Sequence, residues 1–397
     1  MNPQEASDII CDNIQPTSIE RIPFTAASGR ILREEILADR PLPPFDRAMM
    51  DGIAVDSTTI KKNAAWEIKA EALAGQPQIE LAGREMAIRI NTGAVLPVGC
   101  DQIIPIEELS VEGDIAKLTG QAEQEPEAFI HRSASDFSQG SILLEAGCQI
   151  GGKEMGVITS CGKSFVEVAA SPSIALISTG NELVEVDTTP KPHQIRRSNT
   201  HALEAICSRL GIHAVSYHLP DDVDAIDAAL PSILEQYDWI IISGGISKGT
   251  ADYIPDYLHS VGAERHFQWV KQRPGKPLAF FTLPNKKPIF ALPGNPMSTL
   301  VCFHRYIVRA LYGALGHKER PACYVRLAEN FTFKKPLALF LPVSIQCDSN
   351  GVQLAYPRPT ANSGDFASIM DTDGFIELPA DKNVFAEGEG FLFTPWL

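Results

Sequence analysis

The spacing of apolar and polar residues changes character three times along the chain. Residues from about Pro3 to Ile14 carry a helical period, and Pro41-Leu42-Pro43-Pro44 then imposes an extended stretch, because each proline disfavours helix in the residue before it. From Phe45 to about Asp136 the text is strand-like. Trp66–Ala70 and Met86–Ile90 alternate, and turns such as Pro97-Val98-Gly99 punctuate them. From about Ser171 short continuous apolar runs alternate with helical patterns. The runs are Ile174–Ser178, Ala214–Tyr217, Trp239–Ile242 and Pro288–Leu292. One helix shows Leu203, Ile206, Cys207 and Leu210 on a face and ends at Gly211; a second starts from Asp221 as N-cap and reaches Tyr237 with Pro231 inside it. Continuous apolar strands alternating with helices predict a parallel sheet covered on both faces. After about His317, short alternating runs such as Val352–Ala355 and Gly374–Leu378 predict a small β barrel or sandwich.

Length and charge narrow the functional classes. The chain has 397 residues, which allows about two to four domains. Its formal net charge is −15, unsuited to general nucleic-acid binding or to anionic membranes. An anionic substrate would need a local basic cluster in a cleft. The eight cysteines are scattered without a Cys-x-x-Cys pair, which points to reduced, mostly buried thiols and to the cytoplasm. The first dozen residues lack the charged and apolar regions of a signal peptide, and no apolar stretch approaches 18 residues.

Residues with chemistry gather where the apolar runs end. The first run ends in Ser178-Thr179-Gly180-Asn181-Glu182. The third ends in Ser243-Gly244-Gly245 and continues through Lys248-Gly249 to Asp252. The last ends in Pro293-Gly294-Asn295-Pro296. Ligands of open α/β sheets bind beyond the carboxyl ends of the strands. Glycine loops let an anion approach backbone amides, and Asn295 with Pro296 suits a helix start. Neither a Walker A loop nor a Gly-x-Gly-x-x-Gly fingerprint is present. Arg273 and Lys276 flank a Pro-Gly turn, and Arg196 and Arg197 precede the helix start at Ser198-Asn199; both pairs are candidate anion contacts or solvated surface groups. Asp51, Asp136, Glu182 and Asp252 are hard oxygen donors of the kind that holds Mg²⁺ with substrate phosphates; each also fits a turn or a cap, as Asp252 does before Tyr253. His304 reads as a packing residue.

Six blocks, in order, resemble the molybdopterin molybdenumtransferase family (MoeA-type proteins, including the gephyrin E domain). They are Phe45–Val55 with Ala48-Met49-Met50-Asp51-Gly52, Asn91–Pro97, Ser178–Glu182, Ser243–Asp252 with Arg273–Pro277, and Leu292–Pro296. The resemblance implies a multidomain α/β plus β protein. Residues 1–45 and 137–170 would form a discontinuous linker and dimerisation domain, 46–136 a β-rich domain, 171–318 an α/β molybdopterin-binding domain, and 319–397 a carboxy-terminal β barrel. It implies an elongated homodimer that inserts molybdate into adenylylated molybdopterin and releases AMP, with Mg²⁺ and with the molybdopterin adenylyltransferase as a possible partner. Asp51, Asp136, Glu182 and Asp252 would be catalytic, with Asp252 and Glu182 on the metal. Substrate would be held by Thr92, Gly180, Ser243, Gly244, Gly245, Arg273, Lys276, Pro293, Gly294, Asn295, Pro296 and Ser363.

The chain departs from the family pattern in a few places. Ala48 and Met49 stand for Ser-Ala, Ile53 for an aromatic residue, Ala134 for a glycine, and Pro342 near a position that is often basic. The alternatives to a competent enzyme are a divergent paralogue and a scaffold that binds a molybdopterin- or nucleotide-like ligand.

Overall fold

The computed structural model describes residues 1–61, 64–120, 127–245, 253–318, 322–360, 364 and 367–397. The chain divides into two compact units. One contains Met1–Arg33, Ala146–Gly151 and Phe165–Leu397; the other contains Glu34–Glu145 and Gly152–Ser164.

The larger unit is built on a six-stranded sheet. Its strands are β1 (Ile174–Thr179), β2 (Ala214–Leu219), β3 (Trp239–Ser243), β4 (Glu264–Gln268), β5 (Ala279–Thr282) and β6 (Pro288–Leu292), in the order β2-β1-β3-β6-β5-β4. The first four in that order are parallel, and β5 runs antiparallel to both β6 and β4. The sheet is parallel-rich, as expected, and mixed at one edge. Ala279-Phe280-Phe281-Thr282 is fully buried there, so the antiparallel strand is core rather than rim.

Four helices matter to the site: α1 (Asn199–Arg209), α2 (Val223–Gln236), α3 (Tyr253–Ser260) and α4 (Pro296–Cys302). The period of two along β1 decides their placement. Ile174 and Leu176 join Leu203 and Ile206 of α1 and Met297 and Val301 of α4 in one buried cluster. Ala175 and Ile177 join Ile226, Leu230 and Ile233 of α2 and Leu258 of α3 in the other. Pro231 is tolerated inside α2, where Leu230 and Ile233 on either side of it stay in the core. The cap of α2 is Asp222, not Asp221. The Asp222 carboxylate accepts the Ala225 N–H at 2.9 Å.

Five strands of the same unit close into a barrel: Tyr324–Leu327, Ala338–Cys347, Gln353–Pro357, Gly374–Leu378 and Gly390–Pro395. Gln272–Arg273 adds in parallel beside Ala338–Leu339. The helix Pro3–Asn13 opens with a capping box between Asn2 and Glu5.

The smaller unit holds a second six-stranded sheet, with Gly52–Val55, Ala65–Ala72, Met86–Ile90, Gln102–Pro105, Leu109–Glu112 and Ile115–Leu118. Both faces are covered. Ile53, Ala87 and Ile104 pack on one side, and Ala54, Ile88 and Ile103 on the other. This is why Met86–Ile90 buries Ala87 and Ile88 together and does not alternate simply.

No helix among the described residues is long and apolar enough to cross a membrane. The cysteines are free thiols, but fewer are buried than the sequence suggests: Cys100, Cys161, Cys207 and Cys302 are buried, while Cys11, Cys323 and Cys347 are exposed.

Candidate functional site

In the larger unit, the order of the sheet reverses between β1 and β3, and ligand clefts of open α/β sheets form at such a reversal. A cleft of about 590 Å³ lies there. Its wall is made by Thr179-Gly180 after β1, Ser243-Gly244-Gly245 after β3, and Gly294-Asn295-Pro296 after β6. Gly244 and Gly245 have φ of +100° and +65°, and a Cβ on either would fall within 3 Å of the Thr179 hydroxyl oxygen. The close approach of the two loops therefore requires glycine. Pro296 opens α4 as expected; the Asn295 side chain does not close that cap.

Asn199 ties the ends of β3 and β6 to the start of α1. Its Nδ2 donates to Ser243 Oγ at 2.9 Å, to the Gly294 carbonyl at 2.8 Å and to Thr299 Oγ1 at 3.2 Å. Thr299 Oγ1 in turn donates to the Pro293 carbonyl at 2.6 Å. The sequence places Asn199 only at a helix start and singles out neither Thr179 nor Thr299 as a site residue. The signal available is a lone amide between the Ser198 cap and the apolar period of α1.

Among the described residues the cleft carries two carboxylates and two guanidinium groups. Glu182 folds back over Gly180, close enough that a Cβ there would sit 2.5 Å from its carboxylate oxygen. Asp221, expected as a cap, lines the cleft instead, and its N–H donates to the Asn181 side chain at 3.2 Å. Arg196 and Arg197 line it as well. Arg273 does not. It lies on a separate cavity of about 160 Å³, with Met297, Phe331, Leu341 and Pro342, and Lys276 lines neither cavity. The turn bearing Arg273 and Lys276 is pinned by the buried Gln272, whose amide donates to the Pro274 and Gly275 carbonyls at 3.2 and 3.1 Å. Asp252, Ser363 and the loop through Lys248 and Gly249 lie outside the described residues.

The smaller unit presents its own polar set. Asp51 accepts from the Thr92 N–H at 2.6 Å and the Thr92 hydroxyl at 3.0 Å, and these two donors hold its carboxyl below the usual range. Asp136 bonds to His131 Nε2 at 2.9 Å, and His131 Nδ1 meets Arg47 at 3.2 Å. With the Arg47 guanidinium as donor, Nδ1 accepts and Nε2–H donates to Asp136. Partial burial works to raise the Asp46 carboxyl, but the Ser133 N–H and the Arg132 guanidinium outweigh it and leave the pKa low. Among the described residues no cluster of three His, Cys, Asp or Glu side chains could hold a metal ion. Mg²⁺ needs fewer, since it uses one or two carboxylates together with substrate phosphates and water.

The departures from the family pattern have clear settings. Ala48 is buried, Met49 is exposed, and Ile53 lies in the core of the sheet. Ala134, where the family usually has glycine, has a φ of +62°.

Comparisons with known proteins agree with these features. The profile for the "MoeA N-terminal region (domain I and II)" matches residues 1–162, that for a "probable molybdopterin binding domain" matches 175–313, and that for the "MoeA C-terminal region (domain IV)" matches 324–396. The chain is 39% identical to a molybdopterin molybdenumtransferase of Synechocystis over 93% of each chain. It is 30% identical to one of Nostoc over 96% of this chain and 89% of that one. A crystal structure of the molybdopterin biosynthesis MoeA protein from Pyrococcus horikoshii superposes with a TM-score of 0.81 at 29% identity, covering 100% of this chain and 98% of that one. The chain belongs to the molybdopterin molybdenumtransferase (MoeA) family.

Proposed function

We propose that this chain is a transferase of molybdenum cofactor biosynthesis, inserting molybdate into adenylylated molybdopterin with release of AMP. The observation that carries the reading is the glycine-walled cleft at the reversal of the α/β sheet. It lies within the stretch matched by the molybdopterin-binding profile, in a chain whose curated relatives are named for this activity. Glycine loops that allow close approach and two guanidinium groups suit phosphate charge there. The reading as scaffold or divergent paralogue is disfavoured by the 39% identity to a named transferase over 93% of both chains.

Within this proposal Asp51, Asp136, Glu182 and Asp252 are catalytic. Thr92, Gly180, Ser243–Gly245, Arg273, Lys276, Pro293–Pro296 and Ser363 bind substrate. Mg²⁺ belongs to Glu182 and Asp252, and the fit is supported by Glu182 and Asp221 lining one cleft as hard oxygen donors. When bound, the ion supplies charge neutralisation at phosphate. The protein's own part is to orient that phosphate against the glycine loops. The proposal also includes a cytoplasmic homodimer, supplied by the molybdopterin adenylyltransferase, with the four-domain division given above.

Complementation tests the function. Expressed in a strain that lacks molybdate insertion, the chain restores molybdoenzyme activity at low molybdate. Failure by folded, expressed protein contradicts the reading. Light scattering that finds only a 43.2 kDa species removes the homodimer.

A further inference from the structure

A polar side chain occupies a core position at Gln272. It is completely buried, in the short strand that Gln272–Arg273 adds beside Ala338–Leu339. A buried amide is costly unless its hydrogen bonds are made. Here they are. The nitrogen donates to the Pro274 and Gly275 carbonyls at 3.2 and 3.1 Å, and the oxygen accepts from the Tyr306 hydroxyl. The two carbonyls can only accept, which fixes the end of the amide that meets them. Tyr306 is buried as well. Burial pushes its phenol above the ordinary value, so the hydroxyl stays protonated and keeps donating.

The helix that delivers Tyr306 begins at the cleft. α4 (Pro296–Cys302) continues into a π turn over Phe303–Ile307. Single π turns of this kind are frequent at functional sites. Met297 of the same helix lines one cavity with Arg273. Cys302 and Tyr306 both meet Gln272, with the Cys302 thiol 3.5 Å from the amide nitrogen. Gly275 lies directly on this group. Its φ is +85°, and a Cβ there would fall 2.5 Å from the Cys302 sulfur and 2.8 Å from the Gln272 nitrogen. The Lys276 carbonyl closes the turn by accepting the Val270 N–H at 2.9 Å. The turn from Arg273 to Lys276 is therefore seated on the helix. An apolar pair of the same shape would fill the place at little cost in stability. It would not fix the direction of the two carbonyls, or of the cations on either side of them, as a satisfied polar network does.

We propose that Gln272 and Tyr306 are positioning residues of the transferase reaction, setting the Arg273–Lys276 turn so that both cations meet the anionic substrate. The proposal rests on the substrate role given to Arg273 and Lys276 above. Their charges act on the substrate before the reaction as well as during it, so the loss expected on loosening the turn is in binding rather than in the chemical step.

The test is steady-state AMP release by the full chain with adenylylated molybdopterin and molybdate. Wild type, Gln272→Met, Tyr306→Phe and the double variant are compared, with urea denaturation of each. Gln272→Met raises KM for adenylylated molybdopterin by about tenfold, with kcat within about twofold of wild type. Tyr306→Phe moves KM in the same direction. The double variant removes the hydroxyl stranded by Gln272→Met, so its denaturation midpoint is no lower than that of Gln272→Met while its KM stays raised. With a packing role alone, KM follows the midpoint. Unchanged KM in both single variants, or a KM that recovers with stability in the double variant, overturns the proposal. If Gln272→Met does not fold, Tyr306→Phe decides, and a wild-type KM there overturns it. Turnover by the wild type with no KM change removes the positioning role and leaves the function. If the wild type releases no AMP, the function falls, and calorimetric titration of the same proteins with inorganic phosphate decides the positioning role. Weaker binding in the variants then sustains it; equal binding, or none by the wild type, overturns it.

Discussion

The Asp51 carboxylate takes two hydrogen bonds from a single residue, the N–H and the hydroxyl of Thr92, at 2.6 and 3.0 Å. Around them the Gly93 N–H donates to the Ala48 carbonyl at 2.8 Å, and the Ala94 carbonyl accepts from the Ala48 N–H at 3.0 Å. Two sequence blocks about forty residues apart thus form one structural unit. Thr92→Val keeps the backbone donor and removes the hydroxyl. The Asp51 carboxyl then titrates at a higher pH than in the wild type but still below the ordinary value, read by carboxyl-carbon NMR. A lowered carboxyl contributes stability above its unfolded pKa and loses it as pH falls through the folded one. An unshifted midpoint in the variant contradicts the geometry.

Asn199 holds the ends of β3 and β6 to the start of α1. Asn199→Ala leaves Ser243, Gly294 and Thr299 short of a donor and costs about 1–3 kcal/mol in urea denaturation. Because small misplacements of a site are expensive, AMP release falls by about tenfold or more. A variant with wild-type stability and rate takes Asn199 out of the site's support.

Ala134 sits at φ +62°, in the left-handed region that costs a side chain roughly 1–2 kcal/mol. Ala134→Gly removes that strain but adds freedom to the unfolded chain, worth about 0.4–1 kcal/mol. The net expectation is a gain of up to about 1 kcal/mol, seen as a higher denaturation midpoint. A clear loss of stability shows that the turn is not strained.

His304 is buried against the barrel side of the larger unit. Leu397 N–H donates to its Nε2 at 3.0 Å, so Nδ1 carries the proton and donates to the Leu300 carbonyl at 2.8 Å. Burial pushes its pKa down to about 4. The unfolded chain therefore takes up the proton first as pH falls. The contribution is complete above about 6.5 and drains away between there and about 4, with a slope of at most about 1.4 kcal/mol per pH unit. His304→Gln, which bonds without titrating, flattens denaturation midpoints across that window. An equal slope in both proteins assigns the acid sensitivity elsewhere.

Much of this architecture is legible in the order of the residues. Ile174–Ser178, Trp239–Ile242 and Pro288–Leu292 can only be doubly covered strands, and the glycine-bearing loops that follow them line the cleft. The edge strand β4 is not legible, because Glu264-Arg265-His266-Phe267-Gln268 reads as polar surface and only its neighbours make it a strand. Asp221 and Asp222 have equal capping tendency; backbone geometry chooses Asp222 and frees Asp221 for the cleft. Cations are the hardest to place. Arg273 and Lys276 beside a Pro-Gly turn look as suitable as Arg196 and Arg197, and only the fold brings the second pair to the cleft wall. The Asn199 tie has no local signature, since its three acceptors lie 44 to 100 residues away.

The most direct measurement is AMP release from adenylylated molybdopterin by the purified chain, with and without molybdate. The account predicts AMP released in proportion to substrate, dependent on molybdate and stimulated by Mg²⁺, with product that activates a molybdenum-free apoenzyme. Binding of the adenylylated substrate with no molybdate-dependent AMP release would contradict it.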